Sequence, residues 1–136
     1  MSATSTSIYE VLGGDAGVHA LVASFYRLMD KDPAYARIRH LHPADLAHSE
    51  EKLYRFLSGW LGGPPLYVEK YGHPMLRRRH MPFPIGEQER DQWMHCMIAA
   101  MAERGLSAEL QQQLATAFFN TADFMRNRPE PQEPNV

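Results

Sequence analysis

Apolar residues return every three or four positions over most of this 136-residue chain, and no window alternates with period two. That pattern restricts the fold to helices. After Gly13 and Gly14, Asp15 is placed to cap a helix whose Val18, Leu21, Val22, Phe25, Leu28 and Met29 form one stripe, until Pro33 interrupts it. A second helix is expected from about Pro43 to Asp45 onward, with Leu46, Ser49, Leu53, Phe56, Leu57 and Trp60 sharing a face, and Gly62-Gly63-Pro64-Pro65 stops it. Two more stripes follow. Trp93, Cys96, Met97, Ala100 and Met101 mark a helix over about residues 87–103, and Ser107 caps a last one carrying Leu110, Leu114, Ala117, Phe118, Thr121, Phe124 and Met125. The predicted class is all-α, one domain over residues 8–126 between a small polar tail (1–7) and a Pro-rich tail (127–136), both read as flexible.

Four amphipathic helices ordinarily make a simple bundle with short connections. The middle of this chain does not fit one. GGPPLYVEKYGHP, residues 62–74, has no usable period and reads as a long loop. A short helical piece from Met75 to His80 follows and is closed off by Pro82 and Pro84, each of which lacks an amide donor and restricts its predecessor. Something other than helix-on-helix packing is expected to organise this segment.

Charge and cysteine content then remove several classes of function. Fourteen basic against sixteen acidic residues leave a net charge of −2, which gives no cationic field for a nucleic-acid backbone. A lone cysteine, Cys96, excludes an intrachain disulfide and suits a reducing compartment. The N-terminus has no basic and apolar secretory pattern, so the cytoplasm is expected. Trp93 to Ala102, the longest largely apolar stretch, is broken by His95 and falls short of the roughly 20 residues a bilayer span needs.

Among seven histidines, His80 is the most informative, because it ends a short helix and is held by the stiff, mostly apolar MPFPI. Such an imidazole either ligates a metal or stabilises a helix C-terminus. His40, His42 and His48 invite a zinc reading, yet the chain has neither paired Cys/His spacings nor HExxH. Cys96 lies on an apolar stripe and reads as core. Arg77-Arg78-Arg79 is splayed by roughly 100° per residue; it is either a solvated cluster or a source of one guanidinium, Arg79, for a ligand carboxylate. Tyr26 and Trp93 each combine a large ring with one donor, for packing or for hydrogen bonding. Ser49, Leu53 and Phe56, edged by Lys52, form a strip that fits either another helix or a flat apolar cofactor with acidic substituents. No P-loop, dinucleotide fingerprint, nucleophile elbow or kinase signature is present.

The segment GHPMLRRRHMPFPIGEQERDQW, residues 72–93, resembles the signature of group II truncated haemoglobins. The similarity continues through GGP (62–64), EEKLYRFL (50–57), FYRLMD (25–30) and YEVLGG (9–14), nearly everything but the tails. The resemblance implies a shortened globin fold, two helices over two around haem b, with the proximal helix reduced to a turn in a long loop. It implies His80 as proximal iron ligand and Tyr26 and Trp93 as distal donors. Leu53 and Phe56, with Leu76, Phe83 and Met97, are implied as haem contacts, and Lys52, Tyr67 and Arg79 as propionate partners. His42 falls at the distal corner, with the register between it and His40 left open. Ser49 falls at the ligand gate, where a small residue leaves a short route inward.

The function so implied is reversible binding of O2, and of CO and NO, with O2 held tightly and released slowly, in a monomer or homodimer served by an unidentified reductase. A haem redox enzyme acting on peroxide, peroxynitrite or nitric oxide is the second reading. A helical interaction module without haem is the third.

Overall fold

The computed structural model describes residues 7–127, all helices and connections, with no strand among them. Of the expected tails 1–7 and 127–136, residues 1–6 and 128–136 lie outside the described residues. The helices are α1 (Ile8–Val11), α2 (Gly14–Lys31), α3 (Ala36–His40), α4 (Ala47–Trp60), α5 (Leu66–Tyr71), α6 (Leu76–His80), α7 (Glu87–Glu103) and α8 (Ala108–Phe124). α2 packs on α4 and on α7, and α7 packs on α8, which sets one pair of long helices over another.

The apolar stripes make this packing. Leu21, Phe25 and Met29 of α2, Leu57 of α4, Met97 and Met101 of α7 and Leu114 of α8 are all but fully buried in one core. Each such side chain contributes about 1.5–3 kcal/mol of transfer free energy. The methionines fill the irregular gap where α2 crosses α7. Cys96 is fully buried, and its thiol, pushed up to about 12 chiefly by burial, donates to the carbonyl of Phe25 across 3.2 Å. A thiol so placed is structural.

Close approaches fix the ends of the pairs. Ser58, fully buried near the end of α4, donates to Pro64 O at 2.8 Å and folds the Gly-Gly-Pro-Pro turn back on its own helix. At Gly63 a Cβ would stand 2.4 Å from the Tyr9 ring, so only glycine lets that turn press on α1. Met75 enters α6 in the left-handed region, φ 46°, which costs a non-glycine residue about 1–2 kcal/mol and turns the chain so that α6 begins beside the pair.

The structure departs from the sequence reading in several places. Residues 62–74 are not one loop, since Leu66–Tyr71 form α5, six residues between Pro65 and Gly72 and too short to show a period. Asp15 does not cap α2. Gly13 holds that position in the left-handed conformation, and the Asp15 carboxylate instead accepts from the Tyr54 hydroxyl. Pro33 does not end helical structure either; Asp32 caps a 3-10 turn, Pro33–Tyr35, that runs into α3. Asn127, placed by the sequence reading in the C-terminal tail, is tied into the domain. Its Nδ2 donates to His80 O at 3.1 Å and Phe83 O at 2.8 Å, and its Oδ1 accepts from Ile85 N at 3.0 Å.

Candidate functional site

Between the two helix pairs lies a cavity of about 360 Å³, walled by α2, α4, α6, α7 and α8. It falls within the range of small-molecule and cofactor sites. α4 gives it the face the sequence reading singled out: Ser49, Lys52, Leu53 and Phe56, at helical spacing, all line it.

α6 supplies Leu76 and His80, one turn apart and both turned inward, while Arg77 and Arg78 point to solvent. His80 Nδ1 lies 2.6 Å from the carbonyl of Leu76. A carbonyl only accepts, so Nδ1 carries the proton, and the neutral ring keeps its lone pair on Nε2. This is the arrangement that orients a metal-ligating imidazole. Asn127, on the His80 and Phe83 carbonyls, holds the segment from the other side.

Opposite α6, Tyr26 is buried, with its ring edge-on to Phe25 (5.1 Å) and to His42 (5.7 Å). Its hydroxyl donates to Ser49 O across 3.3 Å, and burial, with the nearby Glu50 carboxylate, raises its pKa well above the ordinary phenol value. It remains a protonated donor at any physiological pH. Trp93 on α7 packs against Phe25 (5.2 Å) and Phe118 (5.6 Å) and lines the cavity. Its indole N–H makes no hydrogen bond among the described residues.

His42 lines the cavity and His40, on the exposed side of α3, does not, so of the two candidates only His42 faces it. Its Nδ1 donates to Ile38 O at 2.7 Å. Burial lowers its pKa, the bond to Ile38 opposes that, and the Arg39 charge lowers it further.

Lys52 and Arg79 reach the rim. The Arg79 guanidinium lies over the Tyr67 ring at 5.8 Å and donates through Nε to Pro74 O at 2.7 Å, and the Lys52 ammonium stands 5.5 Å from the Tyr71 ring. Neither meets a carboxylate among the described residues. Glu51, next to Lys52, is occupied by Lys70 (2.7 Å) and Arg55 (2.5 Å), which hold its carboxyl down at about 2. The rim therefore keeps two cations free for an anion.

Of the expected contacts, Tyr67, Leu76 and Phe83 line the cavity with those above, whereas Met97 does not. Met97 sits fully buried in the core, because the stripe on α7 that carries it faces α2. The sequence reading did not assign Trp60, Phe118, Ile85 or Met125 to the site, yet they form its floor. For Trp60, Phe118 and Met125 the only signal was helical periodicity, which is the same for a residue packed on a helix and for one packed on a flat ligand, and Ile85 lies in the connection between α6 and α7.

These features fit a haem. The cavity is lined mostly by apolar side chains, His80 turns its imidazole into it, and Lys52 and Arg79 stand at its rim. No group of three or more His, Cys, Asp or Glu among the described residues is arranged to hold a metal by itself. An iron already carrying four porphyrin nitrogens needs only the one protein ligand.

Comparison with known proteins agrees. The bacterial-like globin family model matches residues 7–127. A group 2 truncated hemoglobin of Bacillus subtilis is 39% identical over 125 residues, 92% of each chain. The group II 2-on-2 hemoglobin of Agrobacterium tumefaciens superposes with a TM-score of 0.88 at 51% identity, covering 93% of this chain and 98% of that one. A truncated oxygen-avid haemoglobin from Bacillus subtilis superposes at 0.80 with 40% identity, covering 90% and 100%. The chain belongs to the bacterial-like globins, as a truncated two-on-two haemoglobin of group II.

Proposed function

We propose that the chain holds haem b through His80 and binds O2, CO and NO reversibly, keeping O2 tightly. The observation that carries this reading is the bond from His80 Nδ1 to Leu76 O, which presents Nε2 to the cavity as a neutral ligand. When bound, haem b would supply the chemistry of reversible diatomic binding at its iron, with His80 as the residue that would hold that iron.

The chain's own residues do the rest. Leu53, Phe56, Leu76 and Phe83 exclude water from the slot, and Lys52, Tyr67 and Arg79 hold the carboxylate edge. On the far side, Trp93 offers an uncommitted N–H, and Tyr26 offers an O–H that is released by giving up its long bond to Ser49. Ser49, small and at the cavity wall, leaves the entrance open on that side. Donors set in an apolar pocket favour a polar ligand such as O2 over CO. That asymmetry suits capture or sensing better than delivery, which needs fast release.

His42 is the one observation that favours a redox reading. A neutral imidazole across the cavity from His80 is a base placed to take a proton from peroxide. Steady turnover of hydrogen peroxide by the parent, lost in His42→Phe, distinguishes that activity from ligand binding alone. Cys96, buried and reduced, suits the cytoplasm. The test of the main reading is the absorption spectrum of the purified protein with one equivalent of haemin, reduced, with and without CO. A five- or six-coordinate histidine-ligated spectrum that shifts on CO addition is expected, and a protein that leaves haemin free in solution contradicts it.

A further inference from the structure

Of the cation run at Arg77 to Arg79, only Arg79 belongs to the haem site, and Arg77 and Arg78 are left over. Arg27, Arg37, Arg39, Arg55, Arg90 and Arg126 each meet a carboxylate within 4.0 Å. The three arginines of α6 meet none among the described residues, and among the other described arginines only Arg104 shares that state. Arg77 rests on the thioether of Met81 and the ring of Phe124, and Arg78 on the thioether of Met75. Arg79 turns back to Pro74 and Tyr67 at the cavity rim.

Around these charges the surface is apolar. Met75 and Met81 are each 46% exposed and Phe83 is 41% exposed, although methionine and phenylalanine are mostly buried in folded proteins. Phe83 also lines the cavity, so one side chain reaches from its wall to solvent. The helix that presents Arg77 and Arg78 outward presents His80 inward. Unpaired cations set among exposed thioethers and a ring are therefore separated from the proposed iron ligand by one turn of helix.

We propose that this face of α6 docks an acidic one-electron carrier protein that reduces the iron. The proposal rests on the haem reading above. Charge complementarity selects the partner. The chain's net charge of −2 gives an acidic protein no general attraction, so the unneutralised patch is the feature that steers such a partner to this place. The apolar residues supply the contact after steering, within the small interface, under about 1,200 Å² in total, that suits transient electron transfer. In the transfer the carrier's reduced flavin gives up one electron and becomes its semiquinone, ferric iron takes that electron and becomes ferrous, and no atom changes hands.

The test uses the full chain loaded with haemin and a bacterial flavodoxin as the acidic carrier. Binding of oxidised flavodoxin to the ferric protein is read by NMR shifts and calorimetry, and reduction by flavodoxin hydroquinone is read by stopped flow. Both are run at about 10 mM and about 150 mM salt, where the screening length falls from about 30 Å to about 8 Å. The Arg77→Gln/Arg78→Gln protein is expected to bind and be reduced roughly tenfold more weakly and slowly than the parent at low salt, with the gap closing at high salt. Arg104→Gln should match the parent, and shifts should centre on residues 75–84. Equal rates and affinities in parent and double variant overturn the proposal, as does an equal loss in Arg104→Gln. Arginine-dependent binding to anionic phosphatidylglycerol vesicles without binding to flavodoxin overturns it too. The haem content and CO spectrum of each protein keep the two readings apart. If they are intact while docking fails, only this proposal falls.

Discussion

Trp93→Phe should speed O2 dissociation more than Tyr26→Phe does, because the two donors start from different states. The Trp93 N–H has no competing protein partner, so a hydrogen bond to a ligand is a net gain. Such a bond to a strongly polarised acceptor is worth about 1.5 kcal/mol, or roughly tenfold in the off-rate. The Tyr26 hydroxyl must first leave Ser49 O, a long bond at 3.3 Å worth about 0.5 kcal/mol, so its net gain is about 1 kcal/mol, or roughly fivefold. Stopped-flow displacement of O2 by CO measures both. Loss of CO, a poor acceptor, should change little in either variant, which separates lost hydrogen bonds from disturbed packing against Phe25, the ring both residues touch. An off-rate raised more by Tyr26→Phe than by Trp93→Phe would refute the reasoning, since the donor already engaged in the protein would then be the stronger one.

Three further outcomes follow from the same geometry. Asn127→Ala removes three side-chain hydrogen bonds from the His80 segment, and after allowance for water replacing some of them about 1.5 kcal/mol is lost; haem transfer to excess apomyoglobin should run roughly tenfold faster, and an unchanged rate contradicts the clasp. His42 is half-buried with its pKa lowered from the ordinary 6.5, so the unfolded chain takes a proton that the folded one resists. Stability is therefore full above pH 6.5 and declines as pH falls below it, and His42→Phe should flatten urea midpoints measured from pH 7 to 5. Cys96, buried with its pKa pushed up to about 12, should resist iodoacetamide until the chain unfolds, and labelling of the native protein at the rate of free cysteine would contradict its placement.

The long helices were legible because each buries one continuous face: α7 and α8 fall within the limits their stripes and the Ser107 cap predict. Of the short elements, the helical piece read at Met75 to His80 is α6 (Leu76–His80), but α5 and α3 were not legible. α5 spans six residues and is held by packing on α4, and α3 follows a proline that reads as a stop. The strip Ser49, Leu53, Phe56 was visible on α4, but periodicity left open whether a helix or a flat ligand covers it, and the same ambiguity hid Trp60 and Phe118. His80 carried little weight by spacing alone, and the resemblance of residues 72–93 gave it its role. What only the structure supplies is the Leu76 carbonyl one turn back, which sets the tautomer. Met97 shows the converse error, a residue expected at the cofactor that its helix turns into the core. Asn127 carried no sequence signal, being one polar residue at the edge of a Pro-rich end whose partners are main-chain groups more than forty positions away.

The central claim is that His80 Nε2 is the axial ligand. Resonance Raman spectra of the ferrous, ligand-free protein, parent beside His80→Gly with and without added imidazole, test it most directly. The parent should show an iron–histidine stretching band, His80→Gly should lose it together with firm haem retention, and free imidazole filling the vacated space should restore it. A His80→Gly protein that keeps the parent's band and holds haem as firmly would contradict the account.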